Sequence, residues 1–341
     1  MEELLRFGIV GCGSVAAFHA QAIENTPGAV LTACCSGNPQ KARTFAAAHG
    51  ARAFDTLEEL LAGPVDAVCL CTPSGLHARQ ALEAMAAGKH VVVEKPMSLT
   101  LEDADRVLAA ARQTGRKVCV ISQLRFQPAV QAVRQALDAG AFGRLVCANL
   151  SMNYYRSEAY YQAGGWRGTW AMDGGGALMN QGIHGVDLLR WLMGPVTGIR
   201  ASVLTRAHAI EVEDTAAALL EFENGAVGTL TGSTACHPGY PRRLEICGTE
   251  GSIVLVEDAL VRWDLPIPCP VPVGEGANSG AADPNAIGAA GHTLQIANFV
   301  DAVRNGTPLL VDAQQGRQAL EVVLGVYASG RTGRTWHPET P

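Results

Sequence analysis

Two groups of residues carry types and spacings that suit chemistry. The run His90-Val91-Val92-Val93-Glu94-Lys95-Pro96 is β-branched and ends in a carboxylate, an amine and a proline. An apolar run without alternation, preceded by Gly88 and closed by Pro96, reads as a short strand buried on both faces. Glu94 and Lys95 then emerge at its carboxyl end, the edge of an open parallel sheet where ligands bind. A lysine there, beside a carboxylate and partly dehydrated, can hydrogen-bond a substrate oxygen and help move a proton. A strand-end salt bridge is the competing reading. The second group, Gly11-Cys12-Gly13-Ser14-Val15-Ala16, directly follows the strand Phe7–Val10 and opens a helical run to Asn25. This is the G-x-G-x-x-G/A fingerprint of a dinucleotide site in its required setting of strand, tight turn and helix. Gly11 makes the turn, Gly13 lets the backbone approach a pyrophosphate, and Ala16 takes the close-packing position. Ser14 and Val15 lead into the helical run Ala16–Asn25, whose amino-terminal N–H groups and positive dipole end receive the phosphates.

The elements that position these groups alternate regularly. A second strand, Val30 to Cys35, leads to Ser36-Gly37-Asn38-Pro39-Gln40-Lys41. An acid about 20 residues past the glycines would hold the adenosine ribose of NAD, and none stands in this turn. Ser36 and Asn38 can bond a phosphate and Lys41 or Arg43 can neutralise it, so NADP is favoured over NAD. The strand Val65–Cys71, the loop Thr72-Pro73-Ser74-Gly75-Leu76-His77, the helix Leu101–Thr114 and the strand Lys117–Ile121 complete a doubly wound α/β sheet over residues 1–122.

Bulk properties narrow the partners. At 341 residues the chain is long enough for two domains. A net charge of −6 without a basic cluster argues against nucleic acid, and no apolar run approaches the roughly 18 residues of a membrane span. The acidic amino terminus runs straight into a strand, unlike a signal peptide. The ten cysteines are scattered without a Cys-x-x-Cys pair, which suits reduced thiols in cytoplasm and no metal site.

Residues 123–341 read as a second domain. Phe126–Ala139 is a helix with Pro128 in its first turn, and Gly143–Tyr154 is a long strand. Tyr154-Tyr155-Arg156, Tyr160-Tyr161 and Trp166-Arg167-Gly168-Thr169-Trp170 then gather aromatic and basic groups. Such rings stack on sugars or nicotinamide, and Arg156 suits a phosphate or carboxylate; a packed loop or subunit contact is the alternative. Ala177–Met193 is apolar at helical spacing, and Asn180 and His184, four apart, project from one face. A histidine on such a face is most often a satisfied core residue. Asp187, one turn on, either orients that imidazole or forms a salt bridge. Antiparallel strands follow from Thr197 to Trp263, with Asn224-Gly225 as a hairpin turn. The open sheet face is best buried by a second subunit, giving a homodimer or homotetramer. The loop His237–Arg242, with Tyr240, is a candidate pocket wall, and Pro266–Ala290 a long surface excursion or lid. His292 opens a closing helix, where it either reaches the site or caps, with capping favoured, and Gly330 caps the last helix.

With Gly11-x-Gly13-x-x-Ala16, Thr72-Pro73-x-x-x-His77, Ala87-Gly88-Lys89-His90-Val91, Glu94-Lys95-Pro96, Gly174-Gly175-Gly176-Ala177-Leu178 and His184 in order, the chain resembles the glucose-fructose oxidoreductase, inositol dehydrogenase and MocA family. The resemblance extends over nearly the whole length. It implies an amino-terminal Rossmann domain, a carboxyl-terminal α+β domain on an open, mostly antiparallel sheet, and a Lys95-Pro96 bond that is often cis. It implies that Thr72, Pro73, His77, Glu94, Lys95, Pro96, Trp166 and Arg167 approach the cofactor, and that Lys95 and His184 flank the nicotinamide. Many members have aspartate where this chain has Asn180. Asparagine orients a hydroxyl but cannot take its proton, which leaves His184 as base. The expected reaction is hydride transfer between the nicotinamide and a secondary alcohol or ketone of a sugar, inositol or sugar derivative held by Lys95, Arg156, Asn180, His184 and Tyr240. Two rival readings are a glycosidase that retains its nicotinamide and a cofactor-sensing regulator without turnover.

Overall fold

Short β-branched runs flanked by glycine turns and Ala-rich helices build the first sheet. In a computed structural model that describes residues 4–163, 165–274 and 289–338, its elements are β1 (Leu5–Val10), α1 (Ser14–Glu24), β2 (Ala29–Cys35), α2 (Pro39–His49), β3 (Arg52–Phe54), α3 (Leu57–Ala62), β4 (Ala67–Leu70), α4 (His77–Ala86), β5 (His90–Val93), α5 (Leu101–Thr114) and β6 (Val118–Val120). The six strands lie in the order β3-β2-β1-β4-β5-β6, every pairing parallel. Winding reverses between β1 and its two neighbours, which makes their carboxyl ends the place for a ligand. Phe7, Ile9, Val91, Val92 and Val93 are wholly buried, each side chain worth roughly 1.5–3 kcal/mol of transfer free energy.

The second sheet is built from β7 (Leu145–Asn153), β8 (Val196–Leu204), β9 (Thr215–Phe222), β10 (Val227–Ser233), β11 (Arg243–Gly248), β12 (Ser252–Val256) and β13 (Ala259–Asp264). Its order is β13-β12-β11-β7-β10-β9-β8, antiparallel except for β7 with β10. In β9 burial alternates strictly, so Ala216, Ala218, Leu220 and Phe222 face the core while Leu219 faces out. Asn224 and Gly225 (φ +83°) form the hairpin to β10, with Asn224 Oδ1 accepting from Ala226 N at 3.0 Å. The helices of this part are α6 (Pro128–Asp138), α7 (Glu158–Gln162) and α8 (Ile183–Met193); the chain closes with α9 (Ala290–Asn305) and α10 (Ala313–Thr332). No described helix is long and apolar enough to cross a membrane.

The chain forms two units, Met1–Gln123 with Gly288–Arg317, and Leu124–Ile287 with Gln318–Pro341. A single cut after residue 122 therefore omits the return of α9 to the first unit. Ile296, Phe299 and Val300 are part of that unit's core, and the Phe299 ring stands 5.9 Å from Phe7. Two expectations at the helix ends are corrected. His292 is no cap: Ala289 precedes the helix, and His292 is buried within its first turn. Gly330 lies inside α10, where a Cβ would come within 2.5 Å of Val203 in β8, so it serves close packing. The left-handed terminator is Gly333, at φ +64°. Of the Pro266–Ala290 excursion, residues 275–288 lie outside the described residues. All ten cysteines are free thiols.

The run to Met193 is not one regular helix. Ala177–Gly182 forms a π-helical turn that passes into α8 at Ile183. Its start is held by Glu213, a buried residue between β8 and β9 that accepts from Gly176 N, Leu178 N and Tyr327 Oη, all at 2.8 Å. Burial pushes this carboxyl up to about 7 from 4.5, against the pull of the three donors. The folded chain thus holds a proton that the unfolded chain releases. Glu213's stabilising contribution is present in full below about pH 4.5 and lost as pH rises through about 7. The effect is bounded by roughly 3 kcal/mol. Melting temperatures measured from pH 5 to 8 should therefore fall more for the wild type than for Glu213→Gln; a gap between the two that is independent of pH would refute the assignment.

Candidate active site

In the first unit the expected cofactor residues converge on one edge. Gly11 follows β1 at φ +93°, and a Cβ there would lie 2.7 Å from the Cys71 carbonyl after β4, so only glycine permits the turn. A Cβ on Gly13 would meet no protein atom within 4 Å. Gly13 is also the N-cap of α1 and supplies no side-chain cap, and the first turn from Ser14 and Val15 holds no acid. That combination fits a pyrophosphate: approachable backbone, unpaired N–H donors and no repelling charge. Ser36, Gly37 and Asn38 follow β2 on the same edge. Asn38 caps α2 by accepting from Gln40 N and Lys41 N at 3.0 and 3.1 Å, and its own N–H donates to Ser36 Oγ. Its side-chain oxygen is thereby committed to the helix, while the exposed Lys41 lies in the first turn.

Thr72 and Pro73 follow β4, and Glu94, Lys95 and Pro96 follow β5. The His77 ring joins the two segments, with Nδ1 2.7 Å from Pro96 O and Nε2 2.8 Å from Thr72 O. Burial lowers its pKa, against both carbonyls. Thr72 Oγ1 donates to Gln80 Oε1 at 2.6 Å. The Lys95-Pro96 bond is cis. Glu94 is buried, yet its carboxyl is held well below the usual range. Desolvation acts the other way and is overcome by two imidazoles: His19 Nε2 at 2.9 Å and His292 Nε2 at 3.9 Å from Oε1. Glu94 Oε2 accepts from Lys95 N at 3.2 Å. Among the described residues, these three side chains are the one group with the spacing of metal ligands. The 2.9 Å His19–Glu94 hydrogen bond ties α1 to the end of β5, and His292 of α9 approaches the same carboxylate oxygen.

In the second unit Asn180 lies in the π turn and His184 in the first turn of α8, part-exposed. Asn180 is not isolated. Arg156, buried, donates from Nε and Nη2 to Gln181 Oε1 at 3.2 and 2.7 Å. Gln181 Nε2 donates to Asn180 Oδ1 at 3.0 Å and to Tyr160 Oη at 2.7 Å. Asn180 Nδ2 donates to Asp173 Oδ1 at 2.6 Å, and Asp173 Oδ2 accepts from Gly168 N at 2.8 Å. Asp187 makes a buried salt bridge, accepting from Arg125 Nε at 2.8 Å and Nη2 at 2.5 Å. Arg167 stacks over the Tyr160 ring at 4.6 Å and over Trp166 at 5.2 Å, and donates to Ala163 O. Tyr240, in the loop before β11, is 57% exposed, and its N–H donates to Asn153 O at 2.8 Å.

His19, Gln181 and Asp173 are thus parts of the two clusters that sequence reasoning did not single out. A histidine in the Ala-rich run Ala16-Ala17-Phe18-His19-Ala20 was a usable signal, because a buried imidazole needs a polar partner. Nothing local marks Asp173, which comes seven residues before Asn180 across a glycine turn.

Comparison with known proteins follows the same division. Residues 5–122 match the oxidoreductase family with an NAD-binding Rossmann fold, and residues 130–254 match the GFO/IDH/MocA C-terminal domain. The chain is 30% identical to the scyllo-inositol 2-dehydrogenase (NAD(+)) of Bacillus subtilis, over 75% of each protein. It is 28% identical to the D-apiose dehydrogenase of Paraburkholderia graminis, over 96% of this chain and 88% of that one. The WlbA dehydrogenase of Bordetella pertussis, solved with NADH and UDP-GlcNAcA, superposes with a TM-score of 0.92 at 34% identity, covering 100% of this chain and 99% of that one. With both halves matched in order and over most of its length, this chain belongs to the GFO/IDH/MocA family of oxidoreductases.

Proposed function

We propose that the chain oxidises a secondary alcohol of a sugar or polyol, or reduces the matching ketone, with a nicotinamide dinucleotide as hydride carrier. The observation that carries this reading is the edge of the first sheet, where the Gly11–Val15 turn fit for pyrophosphate and the braced Glu94-Lys95-Pro96 strand end share one face of the fold. When bound, the nicotinamide supplies the hydride acceptor or donor. Lys95 hydrogen-bonds the reacting oxygen and stabilises developing alkoxide, His184 takes or returns the hydroxyl proton, and Asn180 holds a neighbouring hydroxyl. An imidazole accepts the proton in one direction and returns it in the other.

For the cofactor, the Ser36–Asn38 turn without a carboxylate supports NADP, since nothing there repels a 2′-phosphate and Lys41 is near in sequence. NAD is the second reading, favoured by the NADH bound to WlbA. For the substrate, that full-length likeness supports a nucleotide-linked sugar acid, ahead of the free polyol suggested by the inositol dehydrogenase. For assembly, Leu204, Leu219 and Val227, each about half exposed on the outer sheet face, support a homo-oligomer; elution at the mass of one chain would reject it.

Oxidation of UDP-GlcNAcA, scyllo-inositol and D-apiose with NAD and with NADP, followed at the absorbance of the reduced nicotinamide, should give turnover with at least one pair. Lys95→Ala should then cut kcat by about 10²–10⁴-fold and leave cofactor affinity within about threefold; surviving turnover would remove the lysine from the mechanism. Ser36→Asp, which restores an acid at the end of β2, should weaken NADPH binding by roughly tenfold or more relative to NADH. Unchanged relative affinities would show that this turn does not read the 2′ position.

A further inference from the structure

The polar side chains around Asn180 form a hydrogen-bond chain with only one possible polarity. At one end is Arg156, which only donates; at the other is Asp173, which, ionised, only accepts. Because Arg156 faces Gln181 Oε1, the Gln181 amide must turn its NH₂ toward Asn180 Oδ1 and Tyr160 Oη. Because Asn180 accepts from Gln181, its own NH₂ must face Asp173 Oδ1, 2.6 Å away. The two ends therefore fix amide orientations that an isolated asparagine or glutamine leaves open. Asp173 is 1% exposed and holds Gly168 N with its other oxygen.

We infer that Asp173 is a positioning residue for Asn180: its carboxylate sets the orientation in which the Asn180 amide meets the substrate, and it carries the negative charge that position 180 itself lacks. This rests on the proposed role of Asn180 at the substrate. An aspartate at 180 would place two carboxylates about 2.6 Å apart, which cannot both ionise at neutral pH. Asparagine at 180 and aspartate at 173 are thus one choice, and the charge can sit at either position but not at both.

The chain predicts its own rescue. In Asp173→Asn the new amide can give its oxygen to Gly168 N only by turning NH₂ toward the Asn180 NH₂. Asn180 must then flip against Gln181, and Gln181 against Arg156, so one pair is frustrated wherever the conflict settles. In the double variant Asp173→Asn with Asn180→Asp every pair is satisfied again. Asn at 173 accepts from Gly168 N and donates to the carboxylate at 180, which accepts from Gln181. Asp173→Asn should lower kcat by about 10²-fold, change KM less than threefold, and lower the melting temperature by a few degrees. The exchanged pair should recover kcat to within about fivefold and restore the melting temperature. The assay uses whichever of the three sugars named above the wild type turns over. Wild-type kcat in Asp173→Asn would overturn the inference, and so would a loss of kcat that the exchanged pair fails to recover. A merely structural Asp173, needed only to hold Gly168 N, would be replaced by asparagine in both variants and would show no difference between them. Should the wild type turn over none of the sugars, the proposed reaction fails separately. The chain is then judged on melting temperature alone, where absence of recovery in the exchanged pair refutes it.

Discussion

The charge on Glu94 is the constraint around which the first unit is arranged. A carboxylate at the end of a central parallel strand is out of contact with water, and burial alone would protonate it. Two imidazoles, His19 from α1 and His292 from α9, approach the same oxygen, while the other oxygen takes the next residue's N–H. The helix that carries His292 arrives from a distant part of the chain, and its Phe299 packs on Phe7 of β1. Apolar packing of α9 and the approach of His292 to Glu94 are therefore two consequences of one docking event. The result is a strand end whose backbone leads rigidly into Lys95. His77 then ties the following proline to the loop after β4, so the segment that carries the amine is held from both sides.

The second unit meets the same problem by a different route. Its π turn and helix carry Asn180 and His184, and the start of that segment would leave backbone N–H groups unpaired in a buried setting. Glu213 takes two of them and Tyr327 shares its load. No side chain fits over Gly176, since a Cβ there would lie 1.8 Å from the Glu213 carbonyl. The glycine run thus lets the chain come close enough for a buried acid to act as a cap. A π turn also widens the helix, which brings residues four apart nearer to one line along the axis than 3.6 residues per turn allows. The spacing of Asn180 and His184 was legible as a shared face, but the wide turn that governs it was not.

What could be read from sequence depended on how local the cause was. The strand-turn-helix around Gly11, the Asn224-Gly225 hairpin, the alternation through β9 and the Pro128 helix start are each decided within a few residues, and all were legible. The role of Gly330 was misread because glycine near a helix end has two explanations, and only the approach of Val203 separates them. For His292 the sequence offered a cap or a reach toward the site, and its partner Glu94, almost two hundred residues away, decides against the cap. The Arg125–Asp187 pair stayed hidden for the same reason. Pairings across a fold leave no periodicity, so composition and spacing cannot find them.

The polar groups differ in kind as well as in range. Glu94 and Glu213 are both buried acids, but their carboxyls move in opposite directions, one held far down by two imidazoles and the other raised to about 7 by desolvation. Number of donors does not explain this, since Glu213 accepts three hydrogen bonds at 2.8 Å. The partners' charge does: neutral amides and a phenol favour the anion less than imidazoles that can become cations. The chain from Arg156 to Asp173 stands between these cases, with one full charge at each end and two neutral amides between. Such an arrangement fixes direction, because only one set of amide orientations joins an obligate donor to an obligate acceptor. Orientation is what a site requires of an asparagine that cannot itself transfer a proton. Position 180 itself carries no carboxylate, but one stands a single hydrogen bond behind it, at Asp173.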